Sequence, residues 1–359
     1  MMPESTVSPT LAWSWGTAYD LFISLHVLHK PNKFGLRGAW AKGVRSRFPA
    51  DVRDFFEELH ESWMVPLHLA HSLPAPRDSE TLIHVLTGMT PQERFSSLMH
   101  SPDMPAQVSE ILENVAVRGK WDLSDQEALW AAASQEKQYA PKADDINRLL
   151  GWWARRDEVG EQYLDAIKTY YDVFFAEEDN RIRPALEEGI INAHELAKNL
   201  TIPELLEELS QGVRFEVIPD KPELTLIPSF WVSPLIIMSS LSETANLFVY
   251  GARPADASLV PGAVVPDALF RTLKALADPT RLRILRYLSR EPLTPTDLAK
   301  RLRLRAPTVI HHLSTLRLAG LVYLSFPAKG DKRYAARINR LGQAFDQLQD
   351  FIGQDIGIE

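Results

Sequence analysis

From Trp13 onward the chain spaces its apolar residues as helices do. Ala18, Leu21, Phe22, Leu25 and Leu28 recur at i, i+3, i+4 intervals, and the pattern stops at Lys30-Pro31. The same reading predicts helices over 51–63, 90–99 (opened by the cap Thr90-Pro91-Gln92), 105–117 and 125–137. A long segment over 143–176 follows, dense in aromatic residues, then helices over 183–199 and 202–210, the last closed at Gly212. Beyond Gly212 the period changes. Runs at 213–219, 223–228, 235–240 and 246–251 are short, β-rich and bounded by Pro, Ser and Asp, which predicts a small antiparallel sheet. Residues 253–266 (RPADASLVPGAVVP) read as a linker, and the polar, Pro-containing residues 1–12 as a loose tail.

The C-terminal part returns to helical spacing with sharper punctuation. Residues 279–289 place Leu282, Leu285 and Leu288 on one side. Thr294-Pro295-Thr296-Asp297 is a capping box with Pro at the first helical position, opening a helix to Leu302. In 305–322 (RAPTVIHHLSTLRLAGLV), Val309, Leu313 and Leu316 form a stripe; Arg305, Thr308, His311, Ser314 and Thr315 lie off it. Gly320 is placed to stop that helix in a left-handed cap. A strand over 321–326, a basic Pro/Gly-containing tip over 327–333 and a strand over 334–338 complete the set. Helix, helix, turn, helix and a two-stranded wing make a winged helix-turn-helix, whose second helix enters the DNA major groove. The fold expected is mainly α with small β: a helical body (13–212) ending in a small antiparallel sheet (213–252), a linker (253–266) and a winged module (267–354).

ALADPTRLRILRYL (275–288), DLAKRL (297–302) and TVIHHLSTLRLAGLV (308–322), in that order, resemble the arsenic-repressor-like (ArsR-type) winged-helix regulators. The N-terminal stretch SWGTAYDLFISLHVLHKPNKFGLRGAWAKGVRSRF is similar to the start of long ArsR-type regulators, which carry a large helical domain before the winged helix. The resemblance implies DNA readout by the residues opening the recognition helix, here Ala306, Pro307, Ile310 and His311. The family usually has Ser or Gln at the first three, so this chain departs from the pattern. Ala306 and Ile310 can only touch a thymine methyl, whereas His311, assisted by Thr308, can hydrogen-bond to a base or a phosphate. Modest base discrimination with heavier reliance on phosphate contacts and shape is therefore expected. Arg303, Arg305, Arg317 and the wing residues Lys329, Lys332 and Arg333 are the candidates for phosphate contact.

Dimerisation follows from the same resemblance, because the family pairs through the helices flanking the module. Here these carry Leu269 and Leu273 on one side and Leu341, Phe345, Leu348 and Ile352 on the other. Two-fold pairing would set half-sites about one helical turn, ~10 bp, apart. The family's metal sites are not inherited: the chain has no Cys, and its last helix has no His. His26/His29 and His68/His71 are i, i+3 pairs, read as ordinary interfacial histidines because no acid or thiolate accompanies them at fixed spacing. No metal or cofactor is expected.

Charge sharpens the division. The chain of 359 residues has a formal net charge of −8, yet residues 266–345 hold 16 Lys and Arg against 5 Asp and Glu. The first 265 residues hold 23 against 38. A basic module on an acidic body is the footprint of a nucleic-acid reader with a separate second function. The absence of cysteine excludes disulfides and cysteine catalysis. No apolar run of 18 residues predicts a membrane span, and the N-terminus lacks the pattern of a secretory signal, so a cytoplasmic protein is expected. No G-x-S-x-G, Walker, G-x-G-x-x-G or H-E-x-x-H motif is present, and the chain is not expected to be an enzyme. Trp152, Trp153, Tyr170, Phe174 and Trp231 are the candidate lining of a small-molecule pocket in the body. The expected function is a DNA-binding transcriptional regulator, a dimeric repressor whose body senses a small molecule or partner. The alternatives are an architectural DNA binder without an effector, and an enzyme with a DNA-binding tail.

Overall fold

The computed structural model describes residues 8–62, 65–134, 142–216, 221–260, 265–327 and 330–353. At the centre of the body lies α1 (Thr17–His29), whose apolar sequence TAYDLFISLHVLH is covered on nearly every face. Helices α2 (Gly38–Arg45), α3 (Ala50–Ser62), α4 (Leu67–Ser72) and α5 (Ser79–Gly88) pack around it. Then follow α6 (Pro91–Met99), opened by the Thr90/Glu93 capping box, α7 (Ala106–Arg118) and α8 (Leu123–Ser134).

The aromatic-rich segment is not one helix. It forms α9 (Ala143–Ala154), breaks at Arg155, and resumes as α10 (Arg156–Tyr170). A π-helical turn, Tyr171–Phe175, then leads straight into α11 (Ala176–Ala197). The wider turn shifts the helical phase, so consecutive Phe174 and Phe175 are both buried. Helix α12 (Ile202–Leu209), capped by Thr201 and Glu204, closes the helical part.

The body sheet differs from the expected antiparallel arrangement. Its order is β1-β3-β5-β4, with β1 (Thr10–Trp13), β3 (Glu223–Ser229), β4 (Ile237–Ser240) and β5 (Ala245–Gly251). β1, β3 and β5 run parallel, with Leu11 opposite Leu224 and Leu226 opposite Phe248; β4 alone is antiparallel. Residues 10–12 are thus a sheet edge rather than loose tail. Asp20 of α1 holds the chain after β3, accepting from the Ser229 hydroxyl and from the backbone N–H groups of Phe230 (3.0 Å) and Trp231 (3.3 Å).

The segment expected to open the body sheet, β2 (Val213–Phe215), belongs elsewhere. It runs parallel to β6 (Val322–Phe326), which is antiparallel to β7 (Arg333–Ala336), so the wing's sheet has a strand from the body. Gly212 makes the turn at φ 107°, a conformation closed to other residues without strain. Phe215 then stacks on Phe326, with ring centroids 5.7 Å apart. The described part of the linker is also anchored: Leu259 is buried in the body core, and its N–H donates to Asp267 (2.8 Å).

The winged module contains α13 (Asp267–Leu276), α14 (Pro279–Leu288), α15 (Pro295–Leu302), α16 (Ala306–Leu318), β6, β7 and α17 (Ile338–Gly353). Its core is Ile284, Leu285, Leu288, Leu298, Leu302, Val309, Leu313, Leu316 and Val322. Leu282, placed in the sequence-derived stripe, is instead exposed, and Ile284 takes its place.

Candidate nucleic-acid interface

Local sequence sets the recognition helix. The Thr294 side chain accepts from the Asp297 N–H (3.1 Å), which fixes the start of α15. Arg303 ends that helix at φ 56°, a short turn follows, and Arg305 opens α16 with Pro307 in its first turn. Gly320, at φ 69°, closes α16 where the sequence places the stop. Val309, Leu313 and Leu316 are fully buried, so Pro307, Thr308, Ile310, His311 and Ser314 are turned outward, and Ile310 is 50% exposed. Ala306 is half-buried against the module core. His312 is half-buried as well, with Nδ1 unpartnered, and burial lowers its pKa.

Arg303 and Arg305 are exposed beside the head of this helix. In the wing, Arg333 is exposed, and the Lys332 ammonium lies 5.0 Å from the centre of the Phe326 ring. Lys329 lies outside the described residues. Arg317 corrects the sequence reading. It is buried, and its guanidinium donates to the backbone carbonyls of Ser210 (2.7 Å) and Gln211 (3.4 Å) of the body. It joins the module to the body and is not on a DNA-facing surface. Burial lowers its pKa to about 10.

Sequence reasoning missed three arginines. Arg283, Arg286 and Arg290 stand exposed along α14 and its end, flanking Tyr287, and have no acidic partner among the described residues. Their spacing, three and then four, was the available signal. They form an exposed cationic row on the helix that precedes the helix-turn-helix pair α15–α16.

The dimerisation candidates divide. Leu269 is buried within the monomer, on the face of α13 that also carries the buried Thr272, whose hydroxyl donates to the Ala319 carbonyl (3.3 Å), so it is not free to pair with a second copy. Leu273 and Leu348 are half-buried, and Leu341 packs on the module core. Phe345 and Ile352 are 56% and 72% exposed, and Ile338 (53%) extends their face of α17.

The aromatic pocket is corrected too. Trp153, Tyr170, Phe174 and Trp231 are packed core, not cavity walls. Trp153 meets Phe95 edge-on at 5.3 Å, and Trp231 lies between Trp40 (6.0 Å) and Phe174 (5.8 Å). Trp152 alone lines a cleft, of about 330 Å³, and its indole N–H donates to Glu58 (3.0 Å). Helical spacing showed that these rings point inward; only tertiary packing shows that the interior is filled. His29 and His60 stack at 4.1 Å, with burial holding both well below the usual histidine range. Among the described residues no group of three or more His, Asp or Glu is arranged to hold a metal ion. No described helix is long and apolar enough to cross a membrane.

Comparison with known proteins agrees with this geometry. Residues 278–323, from the cap of α14 into β6, match the family model described as "Bacterial regulatory protein, arsR family". The chain is also similar to the HTH-type transcriptional regulator CmtR of Mycobacterium bovis and of Mycobacterium tuberculosis. In both it is 42% identical over 82 residues, which is 23% of this chain and 69% of the relative. With the winged fold, the outward face of α16 and a relative covered over more than two thirds of its length, the chain belongs to the arsR family of bacterial regulatory proteins and is a DNA-binding transcriptional regulator.

Proposed function

We propose that the protein is a dimeric repressor that reads an operator with α16 and is governed by a signal received in the body. The carrying observation is the clasp between the two parts. Arg317, on the recognition helix, donates to Ser210 and Gln211, Arg337 donates to Gln211 (2.6 Å), and β2 is a strand of the wing's sheet. A change in the body that moves the end of α12 therefore acts directly on α16 and the wing. Linkage requires the signal to bind the DNA-competent and DNA-incompetent states with different affinity. Pairing through Phe345 and Ile352 of α17 supplies the two-fold axis, and no catalytic step is assigned to the body.

His311, with Thr308, supplies hydrogen bonds to base edges, while Arg303, Arg305, Lys332 and Arg333 meet phosphates. Selection of genomic duplex DNA at near-physiological salt, with His311→Ala in parallel, tests this. A two-fold-symmetric site that the variant binds tenfold or more weakly is the expected result, equivalent to about 1–3 kcal/mol for each base no longer read. Uniform, salt-sensitive recovery by both proteins overturns it. That outcome would favour the architectural reading, which the apolar Pro307 and Ile310 on the outward face support.

A further inference from the structure

A cavity of about 510 Å³ separates the body from the back of the winged module. Its body side is formed by the end of α12 and the chain leaving β5, and its module side by α13, the end of α16 and the start of α17. Among the described residues four arginines line it, Arg253, Arg271, Arg337 and Arg340, and Glu208 is the one acid in its wall. Such a volume is typical of small-molecule sites.

Two of these guanidinium groups keep a buried nitrogen without a hydrogen-bond partner, although the Arg253 guanidinium lies 5.7 Å from the centre of the Phe230 ring. Arg253 is only 9% exposed; one terminal nitrogen donates to the Ser233 carbonyl (3.0 Å), while Nη1 is buried without a partner. Arg271 has its Nε buried and unpartnered. Neither forms an ion pair among the described residues. Asp267 lies near both, but one of its oxygens already accepts the Leu259 N–H. Burial, reinforced by Arg271, lowers the pKa of Arg253 to about 9. Leaving a buried cation uncompensated is costly, and a planar guanidinium fork is shaped to take a carboxylate or phosphate. Leu196, Leu209, Pro234 and Leu318 add apolar wall to the same cavity.

We propose that this cavity is the receptor site for a small organic oxyanion, a carboxylate or phosphate ester, held by Arg253 and Arg271 with Arg340 on the more exposed side. The assignment rests on the reading of the body as a sensor. An anion there joins a residue of the body to α13 and α17, and so changes how the recognition helix is carried.

The test uses the full-length protein, with citrate as the carboxylate probe and inorganic phosphate as the phosphate probe, each against chloride at matched ionic strength. Binding without DNA is read by calorimetry and by thermal unfolding. At least one probe is expected to bind saturably, one per chain, and more weakly by about tenfold or more in Arg253→Gln, the loss of a charged hydrogen bond. Arg340→Gln, which removes a half-buried group bonded to Gln343 (3.1 Å), weakens it too and keeps the test open should Arg253→Gln not fold. Lys120→Gln, the same charge change on an exposed body residue, leaves binding unaltered. Preference between the probes identifies the carboxylate or the phosphate as the recognised group. No saturable binding of either probe, or equal binding by all variants, overturns the site. Operator affinity is measured separately with and without the probe: binding that leaves it unchanged upholds the anion site and removes the sensor reading.

Discussion

Arg317 shows how one residue can serve a different role from the one its position suggests. It occupies the recognition helix, in a basic module, yet its guanidinium is turned away from solvent onto two carbonyls of the body. Arg317→Met leaves the Ser210 carbonyl without its donor, while Arg337 still donates to that of Gln211, and is expected to cost about 1–3 kcal/mol in urea unfolding. It also speeds hydrogen exchange at residues 210–215, whereas a phosphate-contact role would weaken DNA binding with stability unchanged. Asp20 gives a second residue-scale expectation. Burial pushes its carboxyl up to about 6, only partly offset by the Ser229 hydroxyl and two backbone N–H donors. The native state therefore holds this proton more tightly than the unfolded chain does. The contribution is complete below about pH 4 and is lost as the pH rises through 6, an effect on the order of 3 kcal/mol. Asp20→Asn removes that slope, so the stability of the wild type measured against the variant falls between pH 4 and 7. His26 and His29, lowered by burial to about 4, act oppositely in the same window, favouring the native state more as the pH rises to 6.5.

Elements whose signals are local were legible in the chain. The Thr294/Asp297 capping box, the Val309-Leu313-Leu316 stripe and Gly320 lie within one turn of what they control, and all appear in place. Thr294→Ala is expected to cost about 1 kcal/mol in thermal unfolding, because the first turn of α15 loses its cap. Elements whose partners are distant in sequence were not legible. β1 is four residues long, too short to show a period, and it exists because β3 lies beside it. β2 has strand character in its sequence, but nothing local says that its neighbour is β6. The aromatic residues of α9 to α11 were correctly inward, but spacing does not distinguish a packed core from a lined cavity. The arginines of the junction cavity carry no local signal, because Arg253, Arg271 and Arg340 come together only through the fold. Helix α17 carries an exposed face of Ile338, Phe345 and Ile352. Under the proposed pairing through this face, Phe345→Glu with Ile352→Glu is expected to raise the dimer dissociation constant by about 100-fold or more in sedimentation equilibrium, since interface anchors dominate such energies. An unchanged dimer places pairing elsewhere.

Across the whole molecule, a net charge of −8 conceals a strongly basic module. DNA affinity should therefore fall steeply with salt despite the acidic total, because counterion release depends on the phosphates neutralised and not on overall charge. Replacing Arg283, Arg286 and Arg290 with Gln should reduce the slope of log affinity against log salt by about 3 per module, near 0.9 for each phosphate no longer neutralised. An unchanged slope removes α14 from the interface. The shared sheet bears on how the protein is made. The ribosome releases β2 well before β6, so the body presents one strand edge and the carbonyls of Ser210 and Gln211 as a finished platform while the module is still being synthesised. The DNA-reading part is then assembled onto that platform, its third strand already in place, and a chain begun after residue 216 would have to build its wing without it.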